Sequence, residues 1–210
     1  MTITEFIRNV LITEIGDIVD RHKYLSFGVV SQGIELLGAC LDENEFDKQG
    51  QSANRFNMAL HELFPEHKYD DFGPESASDV SLYRDLRCGF LHNVLPKKAF
   101  SLTEIKNAPS RLHLTKVDAE DGSQRYLLVA EEFYGDFVSA CETLIHMIET
   151  KEIMEKLEIK KIIVRIRHLS GKRRHSKDER ELQGKGKKYA ILNQDIDFLN
   201  TNLKVTEPIK

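Results

Sequence analysis

Apolar positions along the first 150 residues fall at helical spacing in five stretches, and only once does the period change. Phe6, Ile7, Val10, Leu11, Ile15, Ile18 and Val19 share one face of a helix over 3–20. Arg21 and Lys23 follow, placing positive charge where it complements the helix dipole. A second helix over 24–41 carries Leu25, Val29, Gly33, Leu36, Leu37 and Cys40 at the same spacing. Its Gly28, Gly33 and Gly38 lower helix propensity, which points to close backbone packing as their role. Ser52 is placed to cap a third helix that buries Phe56, Leu60, Leu63 and Phe64 before Pro65 stops it. A polar connection over 66–78 leads to a fourth helix, with Ser78 or Asp79 as N-cap and Leu82, Leu86 and Phe90 every four residues. Pro96 forbids its extension, because proline lacks the N–H and clashes with the preceding turn.

Beyond Pro96 the period shortens. Residues 111–117 and 125–130 flank a polar stretch with Asp121-Gly122 at its tip, the pattern of a β-hairpin. Phe133, Phe137, Cys141, Leu144, Ile145 and Ile148 then mark a long helix over 131–157. The pattern predicts a mainly α fold over 1–157: a bundle of about five helices with a small β-hairpin inserted before the last long one. Residues 158–210 form a C-terminal extension. The β-branched run from Ile159 to Ile166 fits a short strand or a continued helix, 171–188 reads as an exposed, mobile basic loop, and Tyr189 to Leu199 could dock back.

Composition sharpens this picture in three ways. With 210 residues, 40% of them hydrophobic, the chain has enough apolar surface for one sizeable core. No uninterrupted apolar run nears the ~18 residues of a membrane span. The first twenty residues lack the basic start and apolar middle of a signal peptide, so a cytoplasmic protein with no membrane association is expected. Cys40, Cys88 and Cys141 are odd in number, widely separated and set among apolar neighbours, which fits buried thiols rather than a disulfide or zinc framework. The formal charge of −4 hides an asymmetry. Residues 1–150 carry 14 Lys and Arg against 25 Asp and Glu, whereas 151–190 carry 14 against 6. Such a basic segment fits an anionic partner, RNA among them, or a solvated extension.

The stretch from Tyr83 to Asn93 carries the most chemistry. Arg87 supplies a permanent cation with a planar fork for phosphate oxygens, and His92 belongs to the one residue type that titrates near neutrality. Five residues of ideal helix turn through roughly 140°, so the two side chains do not share a face within one chain. A second copy from a symmetric partner would solve this, and Gly89 would let two such helices approach. Tyr83, Arg84 and Asn93 flank the pair, each with two readings: a substrate contact or a structural role. For Arg84 an ion pair with Asp85 is the simpler one. His61-Glu62 begins like a zinc-protease helix, but Pro65 stands where the second histidine belongs. Gly184 to Lys188 lacks the spacing and hydroxyl of a phosphate loop, and the remaining histidines show no ligand spacing. No metal or cofactor is expected.

An arginine, four residues and a histidine, Arg87-Cys-Gly-Phe-Leu-His92, late in a helical domain, resembles the motif of the HEPN superfamily (higher eukaryotes and prokaryotes nucleotide-binding). The helix order over 1–157 is similar too. The resemblance implies a metal-independent endoribonuclease of the kind used in toxin–antitoxin or phage-defence systems, acting as a homodimer with both motifs in one cleft. His92 would then be general base towards a ribose 2′-OH or general acid to the leaving oxygen, and Arg87 would hold the scissile phosphate. Family members commonly carry Asn directly after the arginine, where this chain has Cys88. That departure keeps a second reading open, a non-catalytic dimeric module that binds nucleotide, RNA or a partner protein. A third is an antitoxin-like structural partner, and on any reading an antitoxin or regulatory protein could accompany the chain.

Overall fold

The structure, a computed structural model, describes residues 2–74, 79–150 and 153. The expectations for the basic extension, for the helix beyond 150 and for Ser78 lie outside the described residues. Five helices and a three-stranded sheet make up the rest. The first helix, α1, covers 3–21, α-helical at Ile3–Phe6, π-helical at Ile7–Glu14 and α-helical again at Ile15–Arg21. Thr2 opens it with a capping box shared with Glu5. Helices α2 (Lys23–Leu41) and α3 (Ser52–Glu62) follow, then α4 over 82–93, π-helical at Leu82–Arg87 and α-helical at Cys88–Asn93. Strands β1 (Phe100–Thr103), β2 (Lys116–Asp118) and β3 (Gln124–Val129) precede α5 (Ala130–Glu149).

Two expected caps move. Gln51 precedes α3 with no side-chain cap bond and Ser52 is its first helical residue; Ser81 caps α4, accepting from the Arg84 N–H at 3.3 Å. The predicted hairpin is present as β2 and β3, with Gly122 at φ 75° in its turn, but residues 110–112 form a 3-10 turn rather than strand. Phe100 to Thr103 adds a third strand, parallel to β3, in the sheet order β1-β3-β2.

The two π segments follow from the apolar pattern. Ile7, Leu11, Ile15 and Val19 are buried, as are Leu82, Leu86 and Phe90. A strict four-residue repeat drifts by about 40° per step around an uninterrupted α-helix. The wider π turn takes up part of that drift and keeps each stripe on the core.

Helix α2 is the centre of the bundle, packing on α1, α3, α4 and α5. Its glycines seat three neighbours. A Cβ on Gly28 would stand 2.9 Å from the Phe90 ring of α4, and one on Gly33 would stand 2.5 Å from the Phe137 ring of α5. One on Gly38 would collide with the Arg55 carbonyl of α3. By length and composition Lys23–Leu41 could cross a membrane, which no sequence run had led us to expect, yet 67% of it is buried by the other elements. A helix packed on four others and buried over most of its length is apolar for that reason.

Two polar networks lock the body. Arg55 is buried with Asp42, Nε donating to Oδ2 at 2.6 Å, while its other nitrogens donate to the Phe46 carbonyl at 2.8 Å and the Glu45 carbonyl at 2.6 Å. This fixes the loop after α2. Between the sheet and α5, the Tyr69 hydroxyl donates to Asp136 Oδ2 at 2.6 Å and Lys68 Nζ donates to Oδ1 at 2.8 Å. The Val129 N–H donates to His113 Nδ1 at 3.0 Å, which leaves the imidazole proton on Nε2, 3.2 Å from the Tyr69 oxygen. Burial, helped by the Lys68 charge and opposed by Glu132, lowers His113 to about 4. Burial, then the charge and hydrogen bond of Asp136, raises Tyr69 well above its ordinary value.

Candidate functional site

Helix α4 crosses α2 in the opposite direction. Phe90 fills the notch at Gly28, and one turn earlier Arg87 reaches Glu35, two turns further along α2. Arg87 Nη2 donates to Glu35 Oε2 at 2.5 Å, with the side chains 13% and 21% exposed. The guanidinium also lies over the Tyr83 ring, 5.4 Å from its centroid, and Tyr83 packs edge-on to Phe56 of α3 at 5.7 Å. Among the described residues Arg87 Nε is buried without a hydrogen-bond partner. A charge-assisted bond, an aromatic face and a packed helix thus set the direction of this cation.

Tyr83 is tied to the motif a second way. Burial raises its hydroxyl above the ordinary value, reinforced by a hydrogen bond with Cys88 and opposed by the charge of Arg87. Cys88 is half-buried in this arrangement, not the fully buried thiol expected, whereas Cys40 and Cys141 are buried. Burial pushes the Cys141 thiol up.

His92 and Asn93 stand at the exposed end of α4. No hydrogen bond or ion pair among the described residues engages either side chain. Arg87 therefore faces α2 while His92 faces outward, as the 140° offset requires. Tyr24 braces this end, its hydroxyl donating to the Val94 carbonyl at 2.8 Å and its ring 5.3 Å from Phe90. Leu91, Val94 and Leu95 surround His92 with exposed apolar surface, at 46%, 53% and 57% exposure.

Arg84 takes the simpler of its two readings in part. Its Nε and Nη2 donate to Asp85 at 2.9 and 2.7 Å, and Nη2 also meets the Asp79 carbonyl. Gly89 does not offer an open approach for another helix. A Cβ there would collide with the Leu95 carbonyl and lie 3.1 Å from Pro96 Cα, because the chain folds back over it after α4.

The structure thus gathers Arg87, Tyr83 and Cys88 into one cluster and keeps His92 and Asn93 apart from them. Glu35 is the member that sequence reasoning missed. It is the one acid in a helix whose only other charged residue is Lys23, and an acid in so apolar a stretch marks a buried partner. An apolar groove of about 340 Å³ between α1 and α2, lined by Val10, Ile18, Val29 and Leu36, includes none of the motif residues. Among the described residues no group of three His, Cys, Asp or Glu side chains stands close enough to hold a metal ion. Comparison with family models, curated proteins and solved structures returned no match, so the HEPN resemblance rests on residues 87–92 and the helix order alone.

Proposed function

We propose that the chain is an HEPN-like, metal-independent endoribonuclease whose chemistry is carried by Arg87 and His92. The observation behind this reading is a division of labour along one helix: an arginine held half-buried and aimed by Glu35 and Tyr83, then an exposed, unengaged histidine. In the reaction a ribose 2′-oxygen attacks the adjacent phosphorus, the P–O5′ bond breaks, and a cyclic phosphate and a 5′-hydroxyl result. His92 takes the 2′-OH proton or supplies one to the leaving oxygen. Arg87 stabilises the charge growing on the phosphate. Because the two side chains diverge within one chain, the complete site needs a second copy. Burial of Leu91, Val94 and Leu95 against it would account for their exposure. A toxin or phage-defence role, with a silencing protein partner, follows from the resemblance only.

A specific observation favours the second reading, a non-catalytic dimeric module. Arg87 is already paired with Glu35, and Cys88, a free thiol, stands where the usual polar residue would be. Incubation of the full chain with total RNA and tRNA in EDTA separates the two. Cleavage is expected, with a loss of ~10²–10⁴ in rate in His92→Ala and a comparable loss in Arg87→Ala. Full activity in His92→Ala sinks the ribonuclease reading. RNA bound but left intact by every form selects the binding module.

A further inference from the structure

The segment after the motif helix does not leave it. Val94 turns the chain in the left-handed region, at φ 57° and ψ 22°, and its N–H donates to the Phe90 carbonyl at 3.1 Å. Leu95, Pro96 and Lys97 then run back over the bare side of Gly89, and the Lys97 N–H donates to the Asp85 carbonyl at 2.7 Å. This reversal returns the Lys97 ammonium to within 3.8 Å of the Asp85 carboxylate, the same group that Arg84 holds.

The cluster has an unusual division of exposure. The Asp85 side chain is 6% exposed and also accepts from the Ser81 N–H at 2.9 Å, whereas Arg84 and Lys97 are 54% and 53% exposed. One buried carboxylate therefore fixes two cations that remain open to solvent, and one positive charge is left over. Burial raises the Asp85 carboxyl, but the bonds from Arg84 and Ser81 and the charges of Arg84 and Lys97 outweigh it, so it lies below the ordinary carboxylate range. It is ionised at neutral pH and keeps its hold. Nη1 of Arg84 has no partner among the described residues, and neither has the exposed ammonium of Lys98. Residues 82–98 hold four Lys and Arg against one acid, on a body of residues 1–150 with 25 acids to 14 bases. Among the described residues a polyanion would meet a favourable surface here.

We propose that Arg84 and Lys97, clamped on Asp85, form a subsite for a backbone phosphate next to the one engaged by Arg87 and His92. The inference rests on the ribonuclease reading and extends it. The substrate is a single strand lying along α4 and its returning loop, and Lys97 is a substrate-binding residue that the motif does not contain.

The test is fluorescence anisotropy of an end-labelled single-stranded RNA on full-length His92→Ala, chosen because the ribonuclease reading expects it not to cleave the probe, across a salt series. Adding Lys97→Gln should weaken binding at low salt and reduce the slope of log K against log salt by about 0.7, the value of one lost phosphate contact on a single strand. Lys97→Arg should restore both. Lys97 is exposed and its ammonium is 3.8 Å from Asp85, so the thermal melt of each variant should match the parent. An unchanged slope in Lys97→Gln overturns the subsite while leaving cleavage by the wild type, and hence the ribonuclease reading, intact. No RNA binding by the parent overturns the subsite, and if the wild type also fails to cleave, the ribonuclease reading falls with it. A slope change reproduced by poly-glutamate in place of RNA overturns it too, in favour of an acidic protein partner.

Discussion

Two arginines of this protein are each paired with a carboxylate from a neighbouring element, and they are built for different ends. Arg55 is 5% exposed beside an Asp42 that is 2% exposed, and its nitrogens also donate to two loop carbonyls at under 3 Å. Among the described residues Arg87 has a single carboxylate bond, an aromatic face below it and a buried Nε without a partner, and its Glu35 is 21% exposed. Burial without complete hydrogen bonding is costly, so a protein using Arg87 only as a staple would gain by completing its bonds. Arg55 shows that this fold can do so. The contrast extends to their surroundings. The Arg55 and His113 networks are closed, whereas the stretch from Arg84 to Lys98 leaves cations, an imidazole and apolar side chains open to solvent.

The strongest way to break the comparison is to remove each arginine. Arg55→Ala leaves Asp42 buried without its main counter-charge, and a stability loss of about 3–5 kcal/mol is expected by urea unfolding. Arg87→Met keeps an apolar side chain of similar length at this position and leaves a Glu35 that water can reach, so a change of about 1 kcal/mol or less is expected. Equal losses at the two positions would make both of them staples and remove the structural case for Arg87 in catalysis.

The second test asks whether the body is as closed as its bonds imply. His113 faces Tyr69, Asp136, Lys68 and Glu132, and in the folded state it is lowered from 6.5 to about 4. Between those two values the unfolded chain binds a proton that the folded chain does not. Stability is therefore fully present above about pH 6.5 and falls as the pH drops towards 4, by about 3 kcal/mol in total. Melting temperatures from pH 7 to 4.5 should decline more steeply in the wild type than in His113→Asn. Parallel declines would assign the acid sensitivity to carboxylates and mark the imidazole as accessible.

The same contrast explains what the sequence could disclose. Stripes that bury one helix face were legible, since Ile7, Leu11, Ile15 and Val19, or Leu82, Leu86 and Phe90, state their partner surface in their own spacing. Asp121-Gly122 announced its turn because Gly122 needs a positive φ. The strict repeat of four in α1 and α4 also carried the π segments, though a search for α-helix alone passes over them. Pairings between distant elements were not legible. Phe100 to Thr103 is too short to show alternation, and its parallel partner lies beyond the intervening β2. Glu35 and Arg87 are 52 residues apart, and no local rule joins them. Arg87 and His92 were visible as residue types. The state of each, one aimed and one open, depends on α2 and on the returning loop.

The smallest effect is also the most discriminating, because its two readouts should move in opposite directions. Val94 ends α4 in the left-handed region, where a β-branched residue is rare and glycine is the usual occupant. That conformation costs roughly 1–2 kcal/mol for a side-chain-bearing residue. With 53% of Val94 exposed, little burial offsets the cost within one chain. Val94→Gly relieves the strain and adds some unfolded-state entropy, so a net gain of about 0.5–1 kcal/mol is expected in urea unfolding of dilute protein. If Val94 is kept outward to meet a second copy beside His92, the same change removes apolar contact area. Sedimentation equilibrium should then show weaker self-association. A more stable chain that associates less well means that the end of α4 carries strain for the sake of contact. A less stable chain with unchanged association would mean that Val94 packs within its own protomer, and the open region would then be as self-contained as the body.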